Sequence, residues 1–199
     1  MSKKVYLDCG GHFGEGLEKY ISMYGMNSEW TIFSFEPNTS SFDKLIKNKE
    51  IVLDVFFENK AVWIEDGTIP FHAEFPPETD ISDGAGSSIM DLKFWKSKSD
   101  SNPGAGDVFD TYDVECIDIS KFILENFEPD DTIVLKFDIE GAEFDILRKM
   151  IDDGSISYVN DLYIEFHDFC YLKETVETRQ EIIDKIQSLC GDSITIRQN

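Results

Sequence analysis

The chain has 199 residues, of which 18 are Lys or Arg and 40 are Asp or Glu, so its formal net charge is −22. This length suits one domain with a full apolar core, and the 41% hydrophobic and 13% aromatic shares exclude a disordered chain. The negative charge disfavours nucleic acids and anionic membranes, because both of these partners attract basic surfaces. We therefore expect a single domain over residues 1–199, with no nucleic-acid or membrane partner.

The compartment can be predicted from apolar segments and cysteines. No segment contains the roughly 20 apolar residues that a transmembrane helix needs. The first residues have too few apolar side chains for the core of a signal peptide. The 4 cysteines are widely spaced and form no Cys-x-x-Cys pair, which is typical of reduced thiols and not of disulfides or a zinc site. We expect a cytoplasmic protein.

Strand-like runs alternate with helical stretches along most of the chain. In chain order the pattern predicts a strand at 5–7, a helix at 17–24, a strand at 30–35, a helix at 42–46, strands at 51–57 and 61–64, a helix at 119–126, a strand at 132–138, a helix at 144–151, a strand at 162–166, a helix at 182–189 and a strand at 194–196. Such alternation builds a mainly parallel sheet with helices on both faces. The predicted fold class is α/β, doubly wound.

Residues 66–114 interrupt this alternation. Their pattern is short strands broken by two turn-rich segments, 76–88 and 97–107, and the second segment has no apolar period. We interpret this region as a β-rich insertion with two mobile loops, which could gate access of an acceptor to a site.

Acidic residues and glycines follow the predicted strands, at the edge where open parallel sheets bind ligands. The first strand is followed by Asp8 and a loop containing Gly10 and Gly14, the second by Glu36, and later strands by Asp138 and His167. A glycine-rich loop lets the backbone approach a ligand closely and lead into a helix N-terminus. These strand ends predict one shared ligand site.

The glycine loop lacks the signatures of phosphate-binding loops. Its glycines do not fit G-x-G-x-x-G, and no Lys-Ser or Lys-Thr pair follows them. Asp8 would repel a pyrophosphate but suits a ligand with cationic groups, and Glu36 could accept hydrogen bonds from a ribose diol. Together these features favour S-adenosylmethionine, which carries an ammonium, a sulfonium and a ribose but no phosphate.

Several segments resemble the FkbM-like methyltransferases, in the same order and with similar spacing. The most specific is Lys136 to Glu143, which reads Lys-Phe-Asp-Ile-Glu-Gly-Ala-Glu, and the others are 8–14, 35–38, 59–62, 86–88 and 162–167. The resemblance covers about residues 4–168. It implies a Rossmann-like, class I fold and an S-adenosylmethionine-dependent O-methyltransferase, often one that acts on hydroxyls of sugars or secondary metabolites.

Two features depart from the family pattern. Gly11-His12 stands where members commonly have Ala-Asn, so the methionine end of the cofactor could be held differently. Only nine residues follow Cys190, too few for the usual closing antiparallel pair of strands. We expect a truncated C-terminal sheet edge, covered by a short edge strand or by the second copy of a homodimer.

The resemblance also implies roles for individual residues in holding the cofactor. The amino-acid part would lie on the glycine loop, the ribose hydroxyls on the acid after the second strand, and the adenine against a small side chain. The methyl group would meet the acceptor at Asp138, although Asp138 could instead cap the following helix. The implied cofactor-binding residues are Asp8, Gly10, Gly14, Glu36, Pro37, Ala61 and Asp138.

An alcohol acceptor must lose its proton during methyl transfer, and a positioned base typically accelerates such a step about 10²–10⁴-fold. His167 is the first candidate for this base, followed by Asp138 or Glu140. A divalent metal ion on Asp138, Glu165 and Asp168 is a further possibility that the sequence leaves open.

We therefore expect methylation of a hydroxyl on a carbohydrate or small metabolite. One alternative is an RNA ribose methyltransferase, against which the charge of −22 counts. The other is a methyltransferase-like module without activity that serves a partner protein.

Overall fold

The computed structural model describes residues 2–48, 51, 53–75, 86–91, 108–168 and 174–198. The predicted mobile loop at 97–107, and the predicted loop at 76–88 except for its last three residues, lie outside the described residues. The gating role expected for them stays a prediction.

The described elements follow the predicted alternation of strands and helices. In chain order they are β1 (Lys4–Cys9), α1 (Glu15–Tyr24), β2 (Trp30–Phe35), α2 (Thr39–Leu45), β3 (Val55–Glu58), β4 (Ala61–Trp63), β5 (Gly67–Phe75), β6 (Val108–Asp118), α3 (Ile119–Asn126), β7 (Thr132–Phe137), α4 (Glu143–Asp153), β8 (Val159–Ile164), α5 (Val176–Cys190) and β9 (Thr195–Gln198). None of the described helices is long and apolar enough to cross a membrane.

Six strands form a central sheet in the order β3-β2-β1-β7-β8-β9. Every neighbouring pair in this sheet is parallel. The chain first moves outward from β1 to β3 and then continues from β7 on the other side of β1, which is the strand order of a doubly wound Rossmann-like fold. The predicted fold class is confirmed.

Alternating residues of each central strand pack on opposite faces of the sheet. Tyr6 and Val134 lie in a buried cluster with Leu17 and Tyr20 of α1. Their neighbours along the strands, including Leu7 and Leu135, lie in a second cluster with residues of α3, α4 and α5. Both faces are therefore covered, which explains why the strands read as continuous apolar runs.

Glycines end two of the helices as their positions predict. Gly25 follows α1 with a φ of 55°, and Gly154 follows α4 with a φ of 82°. This left-handed conformation is accessible to glycine without a steric penalty, so each helix ends where its apolar pattern does.

A second sheet of three strands, in the order β4-β6-β5, contains the described strands of the region interpreted as a β insertion. This sheet includes more of the chain than residues 66–114, because Ala61 of β4 pairs with Cys116 near the end of β6. The apolar run at 61–64 predicted a strand correctly, but an apolar run does not indicate which sheet a strand joins.

The β9 side of the central sheet ends in a single short strand. β9 pairs in parallel with β8, with Leu162 opposite Ile196. This agrees with the expected short edge strand, and the described residues contain no antiparallel pair at this edge. The contact with a second copy stays a prediction.

Candidate active site

A cavity of about 490 Å³ opens at the carboxyl ends of β1 and β7. These two strands are neighbours, and the helices that follow them lie on opposite faces of the sheet. The two loops touch at Gly10 and Asp138 and then diverge, which leaves a crevice. The wall includes six of the residues predicted to bind the cofactor or to act in catalysis, among them Glu140, and a lysine to which the sequence gave no role. The six are Gly10, Glu36, Pro37, Ala61, Asp138 and Glu140, and the lysine is Lys136.

The glycine loop after β1 is held tightly against its neighbours. The backbone N–H groups of Gly10 and Gly11 both donate to the carbonyl of Phe35, at 3.0 Å each. Gly10 has a φ of 86°, and a Cβ at this position would overlap the carbonyl oxygen of Asp138. Only glycine lets the two loops approach this closely.

Lys136 joins the glycine loop to two carboxylates beneath it. It lies directly opposite Asp8 in the β1–β7 register. Its buried Nζ donates to the Gly10 carbonyl at 2.7 Å and lies 3.5 Å from the carboxylates of Asp8 and Asp138. Burial lowers the pKa of Lys136, but the two negative charges outweigh this effect and keep the pKa above its ordinary value. A lysine within an apolar strand was the sequence feature that could have identified it.

Asp8 and Gly14, both expected to hold the cofactor, lie outside the wall that the described residues form. Asp8 is fully buried and accepts a hydrogen bond from the Ser34 hydroxyl at 2.7 Å. Burial raises its pKa, and the charge of Lys136 opposes that shift. Gly14 precedes α1 with a φ of 99°, and a Cβ there would meet Leu45 of α2. Both residues therefore support the loop from behind.

Glu36 connects the loops that follow β1 and β2. One oxygen of its buried carboxylate accepts from the His12 backbone N–H at 2.8 Å, and the other accepts from the Asn38 N–H at 2.7 Å. Burial raises the pKa of Glu36, whereas these hydrogen bonds oppose the shift. A carboxylate offers about four acceptor positions, so Glu36 can also accept hydrogen bonds from a ligand in the cavity.

The loop between β7 and α4 is organised by Glu143. Its fully buried carboxylate accepts from the backbone N–H groups of Ile139 and Gly141, at 3.0 Å each. Within this loop Glu140 has a φ of 52°, unusual for a residue with a side chain. α4 begins at Glu143 with Ala142 as its N-cap residue, so the alternative role of Asp138 as the cap of this helix is wrong.

His167 follows β8 and is surrounded by acids. Its Nδ1 lies 2.9 Å from Glu143 Oε1, and its Nε2 lies 3.3 Å from Glu140 Oε1 and 4.0 Å from Asp138 Oδ1. Burial lowers the pKa of His167, but hydrogen bonds to Glu140 and Glu143 outweigh burial and raise the pKa to about 11. A histidine that is already protonated at neutral pH cannot accept a proton, which conflicts with the expected role of His167 as the general base.

The acids expected to bind a metal ion do not all come together. Asp168 pairs with Arg179 at 3.2 Å, whereas Glu165 and Asp138 both line the cavity. Among the described residues, one group of possible ligands has all its donor atoms within 4.8 Å of one another, and it consists of Asp138, Glu140 and His167.

Ser88 connects the small sheet to the loop between β7 and α4, residues 138–142, which we call the acidic loop. Its backbone forms two hydrogen bonds with His72 of β5, and its hydroxyl donates to the Glu140 carbonyl at 2.6 Å. Ser88 also lines the cavity. The sequence resemblance included residues 86–88 but gave them no role.

The cavity wall is predominantly acidic. It contains five carboxylates and two ammonium groups, from Glu15, Glu36, Asp138, Glu140 and Glu165 and from Lys19 and Lys136. A site with this balance favours ligands with positive or neutral groups over anions.

Comparison with known proteins identifies a family for the chain. The description of the matching family reads "Methyltransferase FkbM domain", and the match covers residues 8–193. No curated protein and no solved structure matches the chain. The match includes every loop that forms the cavity.

Proposed function

Because the chain belongs to the FkbM methyltransferase family, we propose that it transfers a methyl group from S-adenosylmethionine to a hydroxyl of a carbohydrate or small metabolite. The observation that carries this proposal is the cavity at the carboxyl ends of β1 and β7. Its wall contains the glycine loop, Glu36 and the Asp138–Glu140 loop.

The cofactor fits this wall by its chemistry. Its amino-acid part would lie beside Gly10, and its ribose hydroxyls would donate to Glu36. Its adenine would lie near Ala61, whose small side chain leaves room for a ring. The five carboxylates of the wall suit the cationic sulfonium and ammonium groups, and Lys136 holds the glycine loop in place.

Methyl transfer from a sulfonium is an in-line displacement. The acceptor oxygen forms a bond to the methyl carbon, the bond from that carbon to sulfur breaks, and S-adenosylhomocysteine leaves. Positioning supplies most of the rate in such a reaction. The hydroxyl proton passes to Asp138 or Glu140, which line the cavity. Burial raises the pKa of Glu140, which makes it a stronger base than an exposed carboxylate.

The acidic wall supports a neutral or cationic acceptor. It counts against RNA, whose phosphates would be repelled, and so against the ribose methyltransferase alternative. We also propose a cytoplasmic location, because Cys9, Cys116 and Cys190 are all free thiols.

The proposal is tested by supplying S-adenosylmethionine with an isotopically labelled methyl group to a panel of neutral, cationic and acidic hydroxyl compounds. Mass spectrometry should find the label on a neutral or cationic compound. Asp138→Asn should slow the transfer about 10²-fold or more, because it removes a carboxylate at the reacting atoms. Asp168→Asn is the control, since Asp168 pairs with Arg179. Equal rates in the two variants would contradict the role of Asp138.

A further inference from the structure

Three metal-ligating side chains meet at the ends of two neighbouring strands. Asp138 and Glu140 follow β7, and His167 follows β8, which is the parallel neighbour of β7. The His167 Nε2 lies 3.3 Å from Glu140 Oε1 and 4.0 Å from Asp138 Oδ1. All three ligand atoms lie within 4.8 Å of one another. Ligand atoms bound at about 2.1 Å to one ion are separated by roughly 3 to 4 Å, so the group would have to contract slightly around an ion.

The ring of His167 is oriented from behind. Its Nδ1 lies 2.9 Å from an oxygen of Glu143, which is fully buried and is itself fixed by the backbone of Ile139 and Gly141. This contact directs Nε2 toward Asp138 and Glu140. Metal-binding histidines are typically held in this way, with a carboxylate on the nitrogen that does not contact the ion.

The two carboxylate oxygens of Asp138 have different neighbours. Oδ2 lies 3.5 Å from Lys136 Nζ, whereas Oδ1 faces His167. Lys136 therefore holds the Asp138 carboxylate in place, while Oδ1 stays directed at His167 and Glu140. Even with a charged imidazole and the Lys136 ammonium, the carboxylates of Asp138, Glu140 and Glu143 leave one negative charge in excess, which a cation would balance.

We propose that Asp138, Glu140 and His167 bind one divalent metal ion at the wall of the cavity. The ion would take the place of the Nε2 proton of His167, which is released to solvent on binding. Asp138 and Glu140 line the cavity, while His167 is buried behind them. On the cavity side, the remaining coordination positions of such an ion would be open to water or to an acceptor hydroxyl. The binding itself needs no cofactor. Its role rests on the proposed function: the ion would polarise the acceptor hydroxyl, so that its proton leaves more readily.

The ligand set indicates the kind of ion. Two carboxylates favour hard cations such as Mg²⁺ and Mn²⁺, and an imidazole favours transition metals. Mn²⁺ accepts both types of ligand and is the appropriate probe. We expect Mg²⁺ to bind more weakly, because nitrogen is a poor ligand for it.

The test is a titration of the cofactor-free full chain with Mn²⁺ at physiological ionic strength, followed by electron paramagnetic resonance and calorimetry. We expect one strong site per chain. Glu140→Gln and His167→Gln should each weaken it by about tenfold or more, and Asp168→Asn, which alters a nearby carboxylate paired with Arg179, should bind like the wild type. Two variants are used so that a folding defect in one does not decide the result.

No strong site in the wild type, or equal binding in Glu140→Gln and the wild type, would overturn the proposal. Weaker binding in Asp168→Asn but not in Glu140→Gln would also overturn it, because a different acid would then be the ligand. A parallel titration with S-adenosylhomocysteine in the presence of a chelator separates the two proposals. Cofactor binding without a Mn²⁺ site would refute only the metal ion, and a Mn²⁺ site without cofactor binding would refute only the methyltransferase.

Discussion

At the scale of single residues, the site depends on how closely two loops approach each other. Gly10 passes directly over the carbonyl of Asp138, and Lys136 binds the Gly10 carbonyl from below. The glycine loop and the acidic loop are thus in direct contact, so a change in the position of one loop displaces the other.

Gly10→Ala tests this close approach against a matched control. Gly10 and Gly154 have similar φ values of 86° and 82°, but a Cβ meets nothing within 4 Å at Gly154. Both alanines carry the strain of a left-handed backbone, about 1–2 kcal/mol. Only Gly10→Ala also forces the loops apart, so we expect a larger loss of thermal stability and weaker binding of S-adenosylhomocysteine. Thermal denaturation and calorimetry on both variants measure this, and equal effects would contradict the account.

The sequence identified the residues on the cavity side better than those that support them. Gly10, Glu36 and Asp138 follow strand ends, where the fold rule places ligands. Lys136 and Glu143 were missed as site residues because the contacts that connect them to the rest of the site involve other segments. The contact of Lys136 with Asp8 depends on the β1–β7 register, and that of Glu143 with His167 depends on the packing of β8, neither of which a single-strand pattern contains.

At the scale of elements, the small sheet lines the cavity with Ala61 and Phe71, and Ser88 joins this sheet to the acidic loop. Ser88 pairs with His72 of β5 through its backbone and with the Glu140 carbonyl through its hydroxyl. Because Glu140 adopts a left-handed backbone, this hydrogen bond helps to fix a conformation that is rare for a glutamate. Ser88 is in this sense a positioning residue for the acidic loop.

Removing that hydroxyl should affect the reaction more than the cofactor. We expect Ser88→Ala to lower the rate of methyl transfer by about tenfold through misplacement of Glu140. The affinity for S-adenosylhomocysteine should stay close to that of the wild type. Ser157→Ala is the matched control, since Ser157 also donates to a backbone carbonyl at 2.7 Å but lies away from the site. A parallel loss of cofactor affinity in Ser88→Ala would refute the positioning role.

The elements themselves were largely predictable, and their sheet membership was not. Apolar runs predicted the strands of the central sheet and the helices that cover it, and the glycines after α1 and α4 predicted where these two helices end. β4 follows β3 closely in the sequence, but it belongs to the small sheet, where its Ala61 pairs with Cys116 of β6. Such pairing arises from long-range packing, which local periodicity does not describe.

At the scale of the whole molecule, the charge of the chain and the charge of the cavity agree. The chain carries −22, and the cavity wall has five carboxylates against two ammonium groups. An acidic molecule with an acidic site is suited to a cationic cofactor and a neutral or cationic acceptor, and it repels phosphate-rich ligands. The charge therefore distinguishes S-adenosylmethionine from NAD and ATP as the expected cofactor.

The central claim is most directly tested by thermal denaturation of the wild-type chain with S-adenosylhomocysteine, NAD or ATP in separate samples. A ligand of the native state at 100 times its Kd stabilises a protein by about 2.7 kcal/mol. We predict a rise in Tm with S-adenosylhomocysteine that grows with its concentration, and no rise with NAD or ATP. A rise with NAD or ATP, together with none for S-adenosylhomocysteine, would contradict the assignment of this cavity to a methyltransferase cofactor.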